Sequence, residues 1–132
     1  MKFSRTVTYA LQATLQLAQE NKSKPVPCSR IAADGNMPER FLLQILRNLV
    51  THGILHSTRG VEGGYALGRP PNEISILDVI EAIDGPMRAE STVNDGMTDE
   101  FYDRLRSELG RVTSTAREQL RAIKLSQLIT PP

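Results

Sequence analysis

Ser57-Thr58-Arg59-Gly60-Val61-Glu62-Gly63-Gly64-Tyr65-Ala66-Leu67 is the stretch that decides the fold of this chain. It reads as two short strands joined by a tip with three glycines in five residues, which lets the backbone turn with positive φ and approach another surface closely. Arg59 stands where that approach would occur. A hairpin whose glycines serve only the turn is the plain alternative, because a lone glycine-rich loop is a weak signal. A nucleotide-phosphate loop is disfavoured, since neither a Lys-Ser/Thr pair nor a helix follows the glycines.

The segment upstream raises the nucleic-acid reading. Cys28-Ser29-Arg30-Ile31-Ala32-Ala33 follows Pro25 and Pro27 and is predicted to form a short helix, stopped by Asp34-Gly35-Asn36, residues tolerant of left-handed geometry. A second helix opens at Pro38-Glu39, with proline pre-set for a first turn and a carboxylate favourable to the helix dipole. Phe41, Leu42, Ile45, Leu46 and Leu49 fall on one stripe of it, and Gly53 ends it. Short helix, tight turn, longer amphipathic helix and hairpin is the order of a winged helix-turn-helix. The polar face of the second helix carries Glu39, Arg40, Gln44 and Arg47, side-chain types that reach phosphates and base edges. For an isolated helix a solvated surface face would be the better reading; the hairpin beside it reverses that preference.

Charge is distributed in keeping with this. Residues 1–70 hold nine Lys/Arg against four Asp/Glu, and residues 71–132 hold seven against eleven, so a net charge of +1 conceals a basic front half and an acidic back half. With 132 residues the chain is one domain plus an appended element, burying roughly two-thirds of its extended surface, with no room for a separate ligand domain. Lys2 and Arg5 are followed by mixed polar residues, unlike a signal peptide, and no apolar run reaches membrane-spanning length, so a cytoplasmic protein is expected. The single cysteine, Cys28, cannot form an internal disulfide.

Ser4 is the expected N-cap of a first helix running to about Gln19, with Val7, Ala10, Leu11, Thr14, Leu15 and Ala18 on one face. Beyond the hairpin, Ser75-x-x-Asp78 opens a short helix through Ile83, and Gly85-Pro86 closes it. Residues 88–98 are polar and read as a loop. A long helix over Asp99–Arg121 spaces Phe101, Leu105, Leu109, Val112, Ala116 and Leu120 by three or four, a stripe too long for this small core to cover; pairing with the same helix of a second copy is expected.

Arg59-Gly60-x-x-Gly63-Gly64-Tyr65-x-Leu67, together with Ile31-Ala32 and Leu42-x-x-Ile45-Leu46-x-x-Leu49, resembles the IscR/NsrR/CymR group of bacterial winged-helix regulators, the Rrf-two family. The likeness runs from Met1 to about Gly85 and resumes at Leu120-x-x-Ile123-x-Leu125-x-x-Leu128. The resemblance implies a mainly α fold with a small β-hairpin wing, organised as a winged helix-turn-helix over residues 1–85, a sensor-position loop over 86–98, and a dimerisation helix with the C-terminal segment over 99–132. It further implies a homodimer that binds double-stranded DNA at a roughly palindromic operator and answers to an effector, a small molecule or a protein. Arg59 would enter the minor groove, Arg40 and Gln44 would read the major groove, and Ser57 and Thr58 would steady the wing. Ser29, Glu39, Arg47 and Gly60 complete the expected DNA-facing set.

This sequence departs from its relatives at the sensor. Family members that hold an iron-sulfur cluster group three cysteines between wing and long helix, because the iron needs thiolate donors. Glu90-Ser91-Thr92-Val93-Asn94-Asp95-Gly96-Met97-Thr98 has none, so no cluster is expected, and Cys28 is read as a small packed hydrophobe. His52 and His56, four apart, are split by Gly53 into a helix end and a strand, and Asp95, Asp99, Glu100 and Asp103 lack a calcium-loop pattern; no metal is expected. Leu43 and Phe41 replace a glutamate and a tyrosine common in relatives, and Glu62 adds a carboxylate at the wing tip, so an operator sequence does not carry over. No catalytic pairing of nucleophile and base is evident. The expected activity is transcriptional regulation, most simply repression. The alternatives are an interaction protein working through a metabolic-enzyme partner and a family member that has lost specific DNA binding.

Overall fold

The structure, a computed structural model, describes residues 1–20, 24–88 and 96–130. The first helix, α1 (Arg5–Glu20), starts where Ser4 Oγ accepts the Val7 N–H at 3.2 Å, as its N-cap position requires. Its buried arc is Val7, Ala10, Ala13, Thr14, Leu17 and Ala18, while Leu11 and Leu15 are only half-buried. The core-facing arc is thus rotated from the expected one. Small residues point inward and let neighbouring helices approach, and the Thr14 hydroxyl is satisfied by the Ala10 carbonyl at 2.6 Å.

α2 (Cys28–Gly35) and α3 (Glu39–Thr51) form the helix-turn-helix. Asn36, left-handed at φ 54° and ψ 49°, caps α2, and the Met37 N–H returns to the Ala32 carbonyl at 2.8 Å. Leu42, Ile45, Leu46 and Leu49 of α3 are buried as their spacing predicts. Phe41 is a correction to the expected stripe: it is 49% exposed. It lies at the margin of the apolar face, where it meets the Tyr9 ring edge to face, with centroids 6.2 Å apart and planes at 80°.

β1 (Leu55–Thr58) and β2 (Gly64–Leu67) pair antiparallel in the register Leu55 to Leu67 and Thr58 to Gly64. The hairpin has a third partner: Val26 and Tyr65 exchange two backbone hydrogen bonds of 2.8 Å each, which fixes the wing to the segment entering α2. Gly64 permits this approach, since at φ 152° a Cβ there would collide with the Val26 backbone.

A 3-10 turn at Pro71–Glu73 leads into α4 (Ile76–Asp84), whose capping box is complete: the Asp78 N–H donates to Ser75 Oγ and the Ser75 N–H to Asp78 Oδ2, both at 3.0 Å. α5 (Asp99–Ala122), capped by Thr98, contains no buried residue. Beyond it the chain returns to the core. The Ile76 N–H donates to the Ile123 carbonyl and the Leu125 N–H to the Ile74 carbonyl, both at 2.9 Å, and Leu125 is fully buried. None of the described helices is long and apolar enough to cross a membrane.

Candidate nucleic-acid interface

α3 presents Arg40, Gln44, Arg47 and Thr51 to solvent, at successive spacings of four, three and four, hence along one face. Beside the C-terminal half of that face stands the wing. Arg47, Thr51, Ser57, Thr58, Arg59 and Gly60 line one concavity together with Pro27 and Cys28 at the start of α2. Of the residues expected from the sequence, the fold therefore gathers Arg47, Ser57, Thr58, Arg59 and Gly60 around this hollow. Arg40 and Gln44 continue its rim along α3. Glu39 and Ser29, both exposed, stand outside it in the first turns of α3 and α2. Cys28 and Thr51 were missed. Thr51 was available from helical spacing, one turn beyond Arg47.

The guanidinium groups of this face are unpaired, as are those of Arg5, Arg106 and Arg121 among the described residues, while five other arginines are neutralised. Arg30, Arg69, Arg104, Arg111 and Arg117 each pair with a carboxylate. Arg40, Arg47 and Arg59 make no ion pair among the described residues, so three guanidinium groups are free to meet an external anion. The helix ends add to this. α1, α4 and α5 begin with Ser4, Ser75 and Thr98 side chains accepting backbone N–H groups. α2 and α3 begin at Pro27 and Pro38, which offer no side-chain cap, leaving first-turn N–H groups and the positive ends of two dipoles for other acceptors.

Cys28 is half-buried, its Sγ 3.8 Å from the Glu39 carbonyl oxygen. Desolvation pushes its thiol pKa up, and the Glu39 charge adds to the effect, so the group is a neutral thiol rather than an activated one. His52 closes α3, with Nδ1 2.8 Å from the Asn48 carbonyl, and His56 lies exposed on β1. Among the described residues no three His, Cys, Asp or Glu side chains are grouped as metal ligands.

The remaining expectations fall on α5. Phe101, Leu105, Leu109 and Val112 are exposed, whereas Ala116 and Leu120 are half-buried and Leu120 packs against the core of its own chain. Glu81 joins α4 to α5 by accepting from Arg117 Nε at 3.0 Å and Nη2 at 2.9 Å, and it also accepts the Met87 N–H at 2.7 Å. The Arg117 hydrogen bonds hold the Glu81 carboxyl below the usual carboxylate range against an opposing desolvation. Of the cysteine-free sensor-position segment, residues 89–95 lie outside the described residues.

Residues 3–131 match the Rrf2 family, described as an iron-dependent transcriptional regulator. The chain belongs to the Rrf2 family. It is 37% identical over 123 residues to an HTH-type transcriptional regulator of Mycobacterium tuberculosis, covering 93% of this chain and 75% of the relative. To the HTH-type transcriptional regulator CymR of Bacillus subtilis it is 33% identical over 95 residues, 72% of this chain and 69% of the relative. The solved structure of B. subtilis CymR, titled the global cysteine regulator of that organism, superposes with a TM-score of 0.79 at 28% identity, covering 97% of this chain and 95% of that one. The structure of T. potens IscR superposes with a TM-score of 0.75 at 28% identity, covering 97% of this chain and 85% of that one. Rrf2 proteins are DNA-binding transcriptional regulators, not enzymes, and the five helices with a two-stranded wing are their winged helix-turn-helix.

Proposed function

We propose that this Rrf2 protein is a homodimeric repressor that occupies a palindromic operator, with the α3 face in the major groove and the wing in the adjacent minor groove. The observation that carries the reading is the set of unpaired guanidinium groups, Arg40, Arg47 and Arg59, beside two helix N-termini without side-chain caps. Arg40 and Gln44 address base edges, Arg47 and the start of α2 around Ser29 address phosphates, Ser57 and Thr58 steady the wing, and Arg59 passes Gly60 into the minor groove. The dimer forms through Phe101, Leu105, Leu109 and Val112, extended by Ala116. These four large side chains are 64%, 39%, 36% and 67% exposed along one face, which a second copy covers.

The signal is not a cluster held in cysteines. The family is described as iron-dependent, but this chain has one cysteine, and it lies at the start of α2, away from the connection between α4 and α5. Three thiolates cannot be assembled from it.

Selection of tight binders from a random duplex pool by the purified protein tests the function. A two-fold-related motif with half-sites about one helical turn apart is expected. Arg59→Ala is expected to weaken binding to that motif by roughly 1 to 3 kcal/mol and to lower the salt slope by about one. Salt-labile binding with no motif would overturn the operator reading, and copurification of an enzyme would direct attention to a protein partner instead.

A further inference from the structure

The wing tip carries a fully exposed apolar side chain. Val61 is the most exposed large apolar residue among those described, at 106% of its reference exposure. It occupies the second position of the turn Gly60-Val61-Glu62-Gly63, closed by the Gly63 N–H to the Gly60 carbonyl at 3.0 Å. Turn propensity does not call for valine there: proline, glycine, asparagine, aspartate and serine are the residues that such positions favour. The tip is closely packed on its own backbone and tied down at the root of the hairpin. Gly60 sits at φ 107°, a Cβ on Gly63 would collide with the Thr58 carbonyl, and the hairpin is pinned at its root by the Val26 to Tyr65 bridge. An isopropyl group is thus exposed to water at the tip of the hairpin, two residues from an unpaired guanidinium.

From this placement we infer that Val61 is the apolar contact of the wing, packing against the deoxyribose walls of the DNA minor groove next to Arg59, and that it makes a narrow A·T-rich step the preferred seat of the wing. The inference rests on the proposed DNA-binding function. Its chemistry is separate from that of the charged contacts. Sugar C–H groups line a minor groove about 6 Å wide, so a branched apolar side chain entering it leaves water on both faces without releasing a counterion. Arg59 supplies the attraction to the negative potential of a narrow groove, and Val61 supplies shape and dehydration.

The test compares Val61→Ser, Val61→Ile and Arg59→Ala with wild type on the duplex selected above, at several salt concentrations. Val61→Ser should bind roughly fivefold more weakly with an unchanged salt slope, as loss of a small apolar contact requires, and should lose its preference for A·T over G·C at the wing position. Val61→Ile should bind at least as well as wild type. Arg59→Ala should lower the slope. If Val61→Ser binds like wild type while Arg59→Ala is weakened, the wing docks without Val61 and the inference is overturned although the DNA reading stands. If both bind like wild type, the wing is not at the DNA, and the inference falls together with the wing's place in the proposed binding mode. Because the Val61 side chain is fully exposed, unchanged thermal unfolding of the serine variant is the internal control.

Discussion

Replacing Gly64 by alanine perturbs the wing at its root. The added Cβ meets the Val26 backbone and lies 2.7 Å from Pro27 N, and the residue holds φ 152°, which L-residues rarely adopt. Two costs follow. Backbone strain at such a position is of order 1 to 3 kcal/mol. Relief by moving the hairpin away breaks the paired 2.8 Å hydrogen bonds between Val26 and Tyr65, at about 1 kcal/mol each. The chain takes the cheaper route or a mixture, so destabilisation of about 2 to 3 kcal/mol is expected, lowering the melting temperature by roughly 10 °C for a domain of this size. Gly60→Ala is the matched control. Gly60 also has positive φ, at 107°, but nothing lies within 4 Å of its added Cβ, so only strain applies and the bridge survives. Thermal unfolding of both variants, with hydrogen exchange of the Val26 and Tyr65 amides, reads the difference. Equal melting losses with both amides protected as in wild type would refute the reasoning.

Two further outcomes follow from α4 and α5. The folded pKa of Glu81 is lowered by its Arg117 hydrogen bonds, so its contribution is present above the unfolded carboxyl value of about 4.3 and is lost as pH falls through the lower folded value. Glu81→Gln should therefore melt earlier than wild type at neutral pH, with the gap closing on acidification through that window; a constant gap would contradict the assignment. Leu105→Glu places a charge in the exposed stripe of α5 without touching the core, and should convert a dimer to monomer by sedimentation velocity while leaving the melting of the winged domain intact. An unchanged sedimentation coefficient would remove α5 from the dimer account.

The parts of the fold legible in the sequence are those set by local chemistry. The glycine tip marked the wing, Asn36 and Gly53 marked helix ends, and Ser75-x-x-Asp78 became a capping box with both bonds made. Pro27 and Pro38 were visible as helix starts, but their lack of a cap gains meaning only beside the three capped helices. Non-local features left no such trace. The Val26 to Tyr65 bridge joins residues far apart in the chain, and the return of Leu125 to the Ile74 segment depends on where α5 ends in space. Phe41 was expected with the buried stripe because periodicity gives a face without its width. In the same way, Ala13 and Leu17 rather than Leu11 and Leu15 fill the inner arc of α1, since the direction of the core is set by the helices packed against it. At the candidate interface, residue types pointed to α3 and the wing, while the hollow between them, with Cys28 and Thr51 in its wall, needed the fold.

That hollow also offers the most direct test of where DNA sits. Cys28 is the only cysteine in the chain and lines the concavity between α3 and the wing. Alkylation with a maleimide at about pH 8, where a thiol of raised pKa still reacts slowly, can be timed by mass spectrometry with and without the selected duplex. Protection of Cys28 by that duplex, at least tenfold in rate and relieved by high salt, is predicted if α3 and the wing grip DNA between them. Equal alkylation rates under conditions where the protein is saturated with DNA would contradict the account at its centre.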